Sequence, residues 1–291
     1  MREKAWERIG HLYPQVDLPK AYGGGKATVI AWIWARTVPS PDPAFSDVQV
    51  PIASSFLLSS KKGQEAWVEP IVDRQSKTIT YRICHGGKKA DMDAAKQGTK
   101  AGRGASFRCV ISGAAINQAH VRGAAARGQM GQQLMAIVAE TSAGTKFLVP
   151  DAASETTAIS AEPKWRPELS LSPDRRAFTP PDYGMPTFGD LHTTRQLCTL
   201  DCLSEVLSTV RAKIMEDARE NGRDDGVPLS SGGTGATAYA DAIIVYLAFM
   251  VDKCADYSSS LCGWIPQLNA VRNTFARQVL PITWDFVEVN P

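Results

Sequence analysis

Between Thr28 and Val149 apolar residues fall in short runs or on alternate positions: TVIAWIWARTV, VPIASSFLLS, AWVEPIVD, TITYRIC, SFRCVIS and KFLVP, with Gly, Pro or Asp between them. Runs of this length, bounded by turn formers, predict the strands of an antiparallel β module. MGQQLMAIVAE, 130–140, fits a short helix or a strand. Residues 86–104, GGKKADMDAAKQGTKAGRG, are rich in Gly and Lys with almost nothing to bury, which predicts a mobile loop. Residues 150–187 are dense in Pro, Ser, Thr and Asp and read as an irregular connector. Beyond it the apolar period lengthens to that of helices. One helix is expected from a cap at Thr187 or Asp190 to about Asn221, and a second over ATAYADAIIVYLAFMVDKCADYSSSL. A third should occupy part of 267–289, broken or kinked at Pro281. The expected class is α+β: a β-rich, ribbon-like module over 1–149, a connector over 150–187 and a helical region over 188–291.

Composition narrows the field. With 291 residues, 44% of them hydrophobic, the chain can bury a sizeable core. Lys plus Arg number 32 against 30 Asp plus Glu, so the net charge of +2 makes no global case for a polyanionic partner, and any such case must rest on local patches. Six cysteines, Cys84, Cys109, Cys198, Cys202, Cys254 and Cys262, have no framework spacing, which fits a reducing cytoplasm without disulfides. MREKAWERIGHLYP has no apolar core of a signal peptide. The longest uncharged apolar run, Ala242 to Val251, falls far short of the roughly 20 residues a bilayer requires. A cytoplasmic chain with no membrane partner is expected.

Several motifs fail on spacing. GGGKAT, Gly23 to Thr28, invites a phosphate-loop reading, but Ala27 stands where Ser or Thr is required and a strand, not a helix, follows. SSGGTGATAY is not preceded by the strand that a dinucleotide fingerprint needs. TPPDYG, Thr179 to Gly184, has the parts of the Asp-Pro-Pro-aromatic motif that holds an extruded base's amine, but Asp182 follows the prolines instead of preceding them. Asp241, Asp252 and Asp256 share one face of the second helix, where three carboxylates could hold a cation but read first as a solvated or arginine-paired stripe. Cys198 and Cys202, one turn apart with no further ligand nearby, read as core thiols. His11, His85, His120 and His192 are isolated, so no catalytic residue is assigned. In VRNTFARQVLPITWDF, Arg272, Asn273 and Arg277 could grip phosphates or dock on acidic neighbours.

Taken together, GHLYP, YGGGKATVIAWIWARTV, SFLLSSKKG, AWVEPIVD, GQMGQQLMAIVAE, YGMPTFGDLHTTRQL, YADAIIVYLAFMVDKCADY and VRNTFARQVLPITWDF resemble, in order and along nearly the whole chain, the middle section of large adenine-specific DNA methylases that carry a zinc-ribbon-like insertion. The resemblance implies an insertion segment of a Rossmann-like methyltransferase. The S-adenosylmethionine site would lie upstream of these residues and the Asp-Pro-Pro-Tyr motif downstream, so this chain would hold neither cofactor nor catalytic residues and would be a fragment or one half of a split gene. It also implies double-stranded DNA and the missing methyltransferase halves, or a companion chain carrying them, as partners. An insertion between cofactor and catalytic motifs commonly supplies target recognition. The basic residues expected to meet DNA, chosen by charge placement alone, are Lys61, Lys62, Lys88, Lys89, Lys96, Lys100, Arg103, Arg272 and Arg277.

The departures from the family are informative. Where many members have a Cys pair near 40 and 45, this chain has Ser40 and Phe45. Where they have Cys-x-x-Cys-Gly, it has CVISG, so Cys109 remains and Ser112 replaces its partner. One thiolate of four cannot hold a structural zinc, and Phe45 is expected to plug the volume instead. The competing expectation is a stand-alone, non-catalytic module that binds nucleic acid or protein.

Overall fold

Helix α1 (Arg2–Ile9) and a ribbon of β1 (Val16–Asp17) with β2 (Lys26–Ala27) lead into β3 (Val29–Pro39) in a computed structural model that describes all 291 residues. Both faces of β3 are covered. Trp32 and Trp34 pack on one side with Leu134, Ile137 and Phe286, while Ala31, Ile33 and Ala35 pack on the other with Ala136, Val138 and Val287. A strand buried on both faces has no polar side to show, which is why VIAWIWARTV reads as continuous rather than alternating.

β4 (Gln49–Ile52) returns along the Arg36 to Pro39 half of β3. β5 (Leu57–Ser59), β6 (Ala66–Asp73) and β7 (Thr78–His85) form a separate antiparallel sheet. The mobile loop expected over 86–104 instead holds a helix, α2 (Lys89–Gln97), across its middle. Its first turn is held by the Asp91 carboxylate, which accepts from the Lys88 amide at 2.8 Å, and Met92 and Ala95 anchor one face on the core. After the ribbon of β8 (Phe107–Arg108) with β9 (Ala115–Ile116) and helix α3 (Gln118–Ala126), residues 130–140 resolve as strand: β10 (Gly131–Thr141) pairs with β3 and with β11 (Gly144–Leu148).

The stretch to residue 187 is irregular except for α4 (Ala152–Ile159) and one short helical turn at Pro180–Tyr183. Thr187 and Asp190 do not cap the long helix. Asp190 closes a single turn at Phe188–Leu191 by accepting from the Thr187 amide at 2.8 Å, and α5 (Thr194–Glu220) starts behind a reciprocal Thr193 and Gln196 box. The proximal half of α5 packs on the Trp32 face through Cys202 and Val206. Its distal half pairs with α6 (Ala236–Tyr257), where the small residues Ala236, Ala238 and Ala240 are buried.

The third helix expected within 267–289 is not formed. Those residues contribute to β12 (Gly263–Ile265) with β13 (Ala270–Arg272), then a long loop, then β14 (Asp285–Val289). β14 inserts beside β3, giving the order β11-β10-β3-β14-β12-β13, with β4 taking the rest of the same β3 edge. Its two-residue period explains the choice: Phe286 joins the tryptophan face, Val287 joins the opposite one, and Glu288 reaches the buried Arg195. The molecule is thus mixed α and β, with antiparallel sheets and six α-helices.

Candidate functional site

Arg272 ends β13 and Asp285 begins β14, and the loop between them is tied at both ends. At the near end, Asp256 from the C-terminus of α6 accepts from the Asn273 side chain at 2.7 Å and from the Phe275 amide at 3.0 Å. The Thr274 hydroxyl bonds the Asp256 carbonyl at 2.8 Å. Burial alone would raise the Asp256 carboxyl, but these amides and the neighbouring Lys253 outweigh it and hold the group below the ordinary carboxylate range. At the far end the Leu280 amide donates to Ala177 at 2.8 Å, the Ile282 amide to the Thr179 hydroxyl at 2.8 Å, and Trp284 is buried edge-on against Phe107 and Tyr183. Arg36, buried beneath, donates to the Thr283 carbonyl at 2.9 Å and to Ser260, with its guanidinium over the Phe286 ring. No carboxylate faces Arg36, and burial pushes its pKa down to about 10.

Between these anchors the loop walls a cavity of about 220 Å³. Arg272 and Arg277 both line it, together with Asn273, Thr283, Trp264, Trp284 and Asp285. Neither arginine has a carboxylate partner or a side-chain hydrogen bond in the protein, so the two guanidinium groups keep their full donor capacity. Arg272 lies against Gly263 across the β12–β13 pair: a Cβ there would come within 2.8 Å of its terminal nitrogen.

Asp285 is the one acid in the cavity wall. Its Oδ1 accepts from the Ser54 amide at 2.7 Å, and burial raises its pKa to about 6 against the opposing pull of that amide and of Lys100. Lys100 is itself depressed by burial, with its ammonium over the rings of Phe107 at 4.4 Å and Trp284 at 5.8 Å. On the other side of Trp264 and Asp285 lies a second cavity of about 190 Å³, lined by Lys96 and by apolar residues including Phe56 and Val68.

The nine basic residues expected to meet DNA therefore divide. Arg272 and Arg277 line the first cavity, Lys96 lines the second and pairs with Asp93, and Lys100 lines neither but lies over Trp284. Lys61 and Lys62 sit on the exposed β5–β6 turn, Lys88 and Lys89 at the start of α2, and Arg103 on an exposed turn; none of these five lines either cavity. Sequence reasoning missed Asp285, Trp264 and Ser54. A carboxylate inside the apolar run TWDFV was the available signal. It also missed the fully buried Arg195 and Glu288, bonded at 2.6 and 3.1 Å, with Thr193 donating to Glu288 at 2.6 Å and the Arg195 guanidinium 4.0 Å over Trp32.

The other motifs resolve into structure. Asp182 of TPPDYG is held by Arg122 at 2.5 Å and Arg175 at 3.1 Å. Asp241 takes Arg211 at 2.6 Å and the Leu229 amide, so two of the three helix aspartates are occupied within the protein. Gly23, Gly24 and Gly25 all take positive φ in a turn that runs into β2, a geometry that fits no cofactor loop ahead of a helix. The knuckle positions converge: the Ser40 hydroxyl and Cys109 thiol are 3.3 Å apart in the interior, Phe45 packs on the same cluster, and the Ser112 hydroxyl accepts from the Ala114 amide. No group of three or more His, Cys, Asp or Glu side chains is placed to hold a metal ion. No helix is long and apolar enough to cross a membrane.

Comparison with protein-family models, with curated proteins and with solved structures returns no match to this chain.

Proposed function

We propose that this chain is the DNA-contacting, non-catalytic middle section of an S-adenosylmethionine-dependent, adenine-specific DNA methyltransferase, an insertion within a Rossmann-like catalytic domain. The carrying observation is that Arg272 and Arg277 line one cavity and have no carboxylate partner, the state in which guanidinium forks can take phosphate oxygens. The ordered run of sequence blocks shared with that methylase family supports the same reading. So does the contact between Ser40 and Cys109, which brings together two loops that carry metal ligands in many members. The methyl donor and the transfer step belong to residues outside this chain. What these residues contribute is grip and placement of the DNA, which is worth rate through proximity and orientation.

Fluorescence anisotropy with labelled duplex DNA tests the proposal. Binding should be clear at low salt and weaken steadily as salt rises, because each neutralised phosphate releases counterions. Absence of binding at low salt contradicts it and leaves a protein-binding module as the reading to pursue.

A further inference from the structure

We propose that the outer face of α6 is a self-association surface, on which a second copy of this chain lays its own α6 antiparallel about a two-fold axis at Tyr246. The inference stands on this helix and not on the DNA-contact reading. α6 buries only Ala236, Ala238 and Ala240, all within its first two turns, and no residue from Asp241 to Tyr257 is buried. Yet Ala242 to Val251 carries no charge. A solvated face would show Lys, Glu or Arg; this one shows Val245, Tyr246, Phe249 and Met250, spaced to share one side, with Tyr239 two turns earlier in line with Tyr246. Tyr246 is 73% exposed, Phe249 62% and Met250 59%. The inner side is taken by α5, with Asp241 on Arg211 and Thr237 on Met215.

The area fits a second copy. An aromatic side chain offers about 150–250 Å² to a partner, so at these exposures the strip from Tyr239 to Met250 presents on the order of 500 Å². That is at the upper end of what a monomer leaves open. Two such strips laid together bury on the order of 1,000 Å², the size at which a specific interface begins. Two-fold pairing is also the commonest way for a chain to close on itself. The antiparallel register matches side chain to side chain. With Tyr246 against its counterpart, Met250 comes level with Ala242 of the second copy, large against small. Asp252 comes level with Ala240 of the second copy, next to Tyr239, whose ring holds the Arg223 guanidinium at 4.6 Å. Asp252 and Arg223 are both exposed and neither has an ion partner within its own chain, so the pairing brings opposite charges to each end. A parallel pair would set Asp252 against Asp252.

Sedimentation velocity and light scattering of the full chain over a dilution series test this. The mass should pass from 31.5 kDa to twice that value, with a dissociation constant on the order of 10 µM for an interface at the small end of the range. Tyr246→Glu and Phe249→Glu, each at an exposed position, should raise that constant at least about thirtyfold and leave circular dichroism and the urea midpoint unchanged. Asp252→Arg and Arg223→Asp should each weaken the dimer, and the two together in one chain should restore it. A wild-type chain that stays monomeric throughout overturns the inference whether or not any variant folds, and flotation of that monomer with phosphatidylglycerol vesicles would assign the face to lipid instead. A dimer undisturbed by Tyr246→Glu and Phe249→Glu overturns the surface. A charge swap that fails to restore the dimer in a folded chain overturns the antiparallel register.

Discussion

Glu288 and Arg195 have no exposed surface, and each depends on the other for its charge to be tolerable there. The pair joins β14 to the start of α5, and Arg195 also donates to the Leu12 carbonyl at 3.0 Å, so one guanidinium links three distant parts of the chain. Glu288→Gln keeps the shape but strands the cation, and should cost about 3–5 kcal/mol in urea unfolding. Nothing local in VEVN or TTRQL announced that contact, because each half reads as an ordinary exposed charge until β14 lies beside β3. Asp285 makes a second, opposite prediction. Its carboxyl is raised from the usual 3.8 to about 6, so the folded state takes up a proton before the unfolded chain does as pH falls. Its contribution is therefore most favourable below pH 4, declines as pH rises through 4 to 6, and is level above. Asp285→Asn should be more stable than wild type by up to about 3 kcal/mol at pH 8 and should lose that part of the pH dependence. Denaturant midpoints at pH 4 and pH 8 measure both effects.

At the scale of elements, the loop from Asn273 to Trp284 depends on its clamps more than on its own sequence. Asp256→Ala leaves the Asn273 side chain and the Phe275 amide without their acceptor. It should destabilise the fold by about 1–2 kcal/mol and raise hydrogen exchange in this loop first. The strands of the first half were legible because each carries its own two-residue period or a closed apolar run. β14 was not, since its five residues follow a proline-broken stretch and acquire their register from β3, more than two hundred positions away. α2 was hidden for a different reason: two side chains, Met92 and Ala95, are all it buries, and a Lys-rich sequence with so little apolar content looks like a solvated loop. α6 was legible as an apolar helix and leaves Tyr246, Phe249 and Met250 more than half exposed. Metal analysis of the purified chain should find less than one zinc per molecule; a stoichiometric ion would overturn the expectation that Phe45 plugs the volume beside Ser40 and Cys109.

Over the whole molecule, one sheet closes residues from both ends of the chain against each other: β3 runs between β10 and β14, with the tryptophan face under α5 and the opposite face against the β5–β7 sheet. The division into a β half and a helical half that the sequence suggested does not describe this sheet, which draws β12, β13 and β14 from beyond residue 260. The sequence named Lys96, Lys100, Arg272 and Arg277 among nine basic residues but could not set them apart, because only the fold places them beside Trp264, Trp284 or Asp285. With a net charge of +2 the chain has no strong global field, so the proposed DNA contact rests on local basic residues. The most direct measurement is therefore the slope of log affinity for duplex DNA against log salt, for the wild-type chain and for Arg272→Ala with Arg277→Ala. If the two arginines each hold a phosphate, the double variant should bind more weakly and its slope should be shallower by about 2. A folded double variant with wild-type affinity and slope would contradict the account.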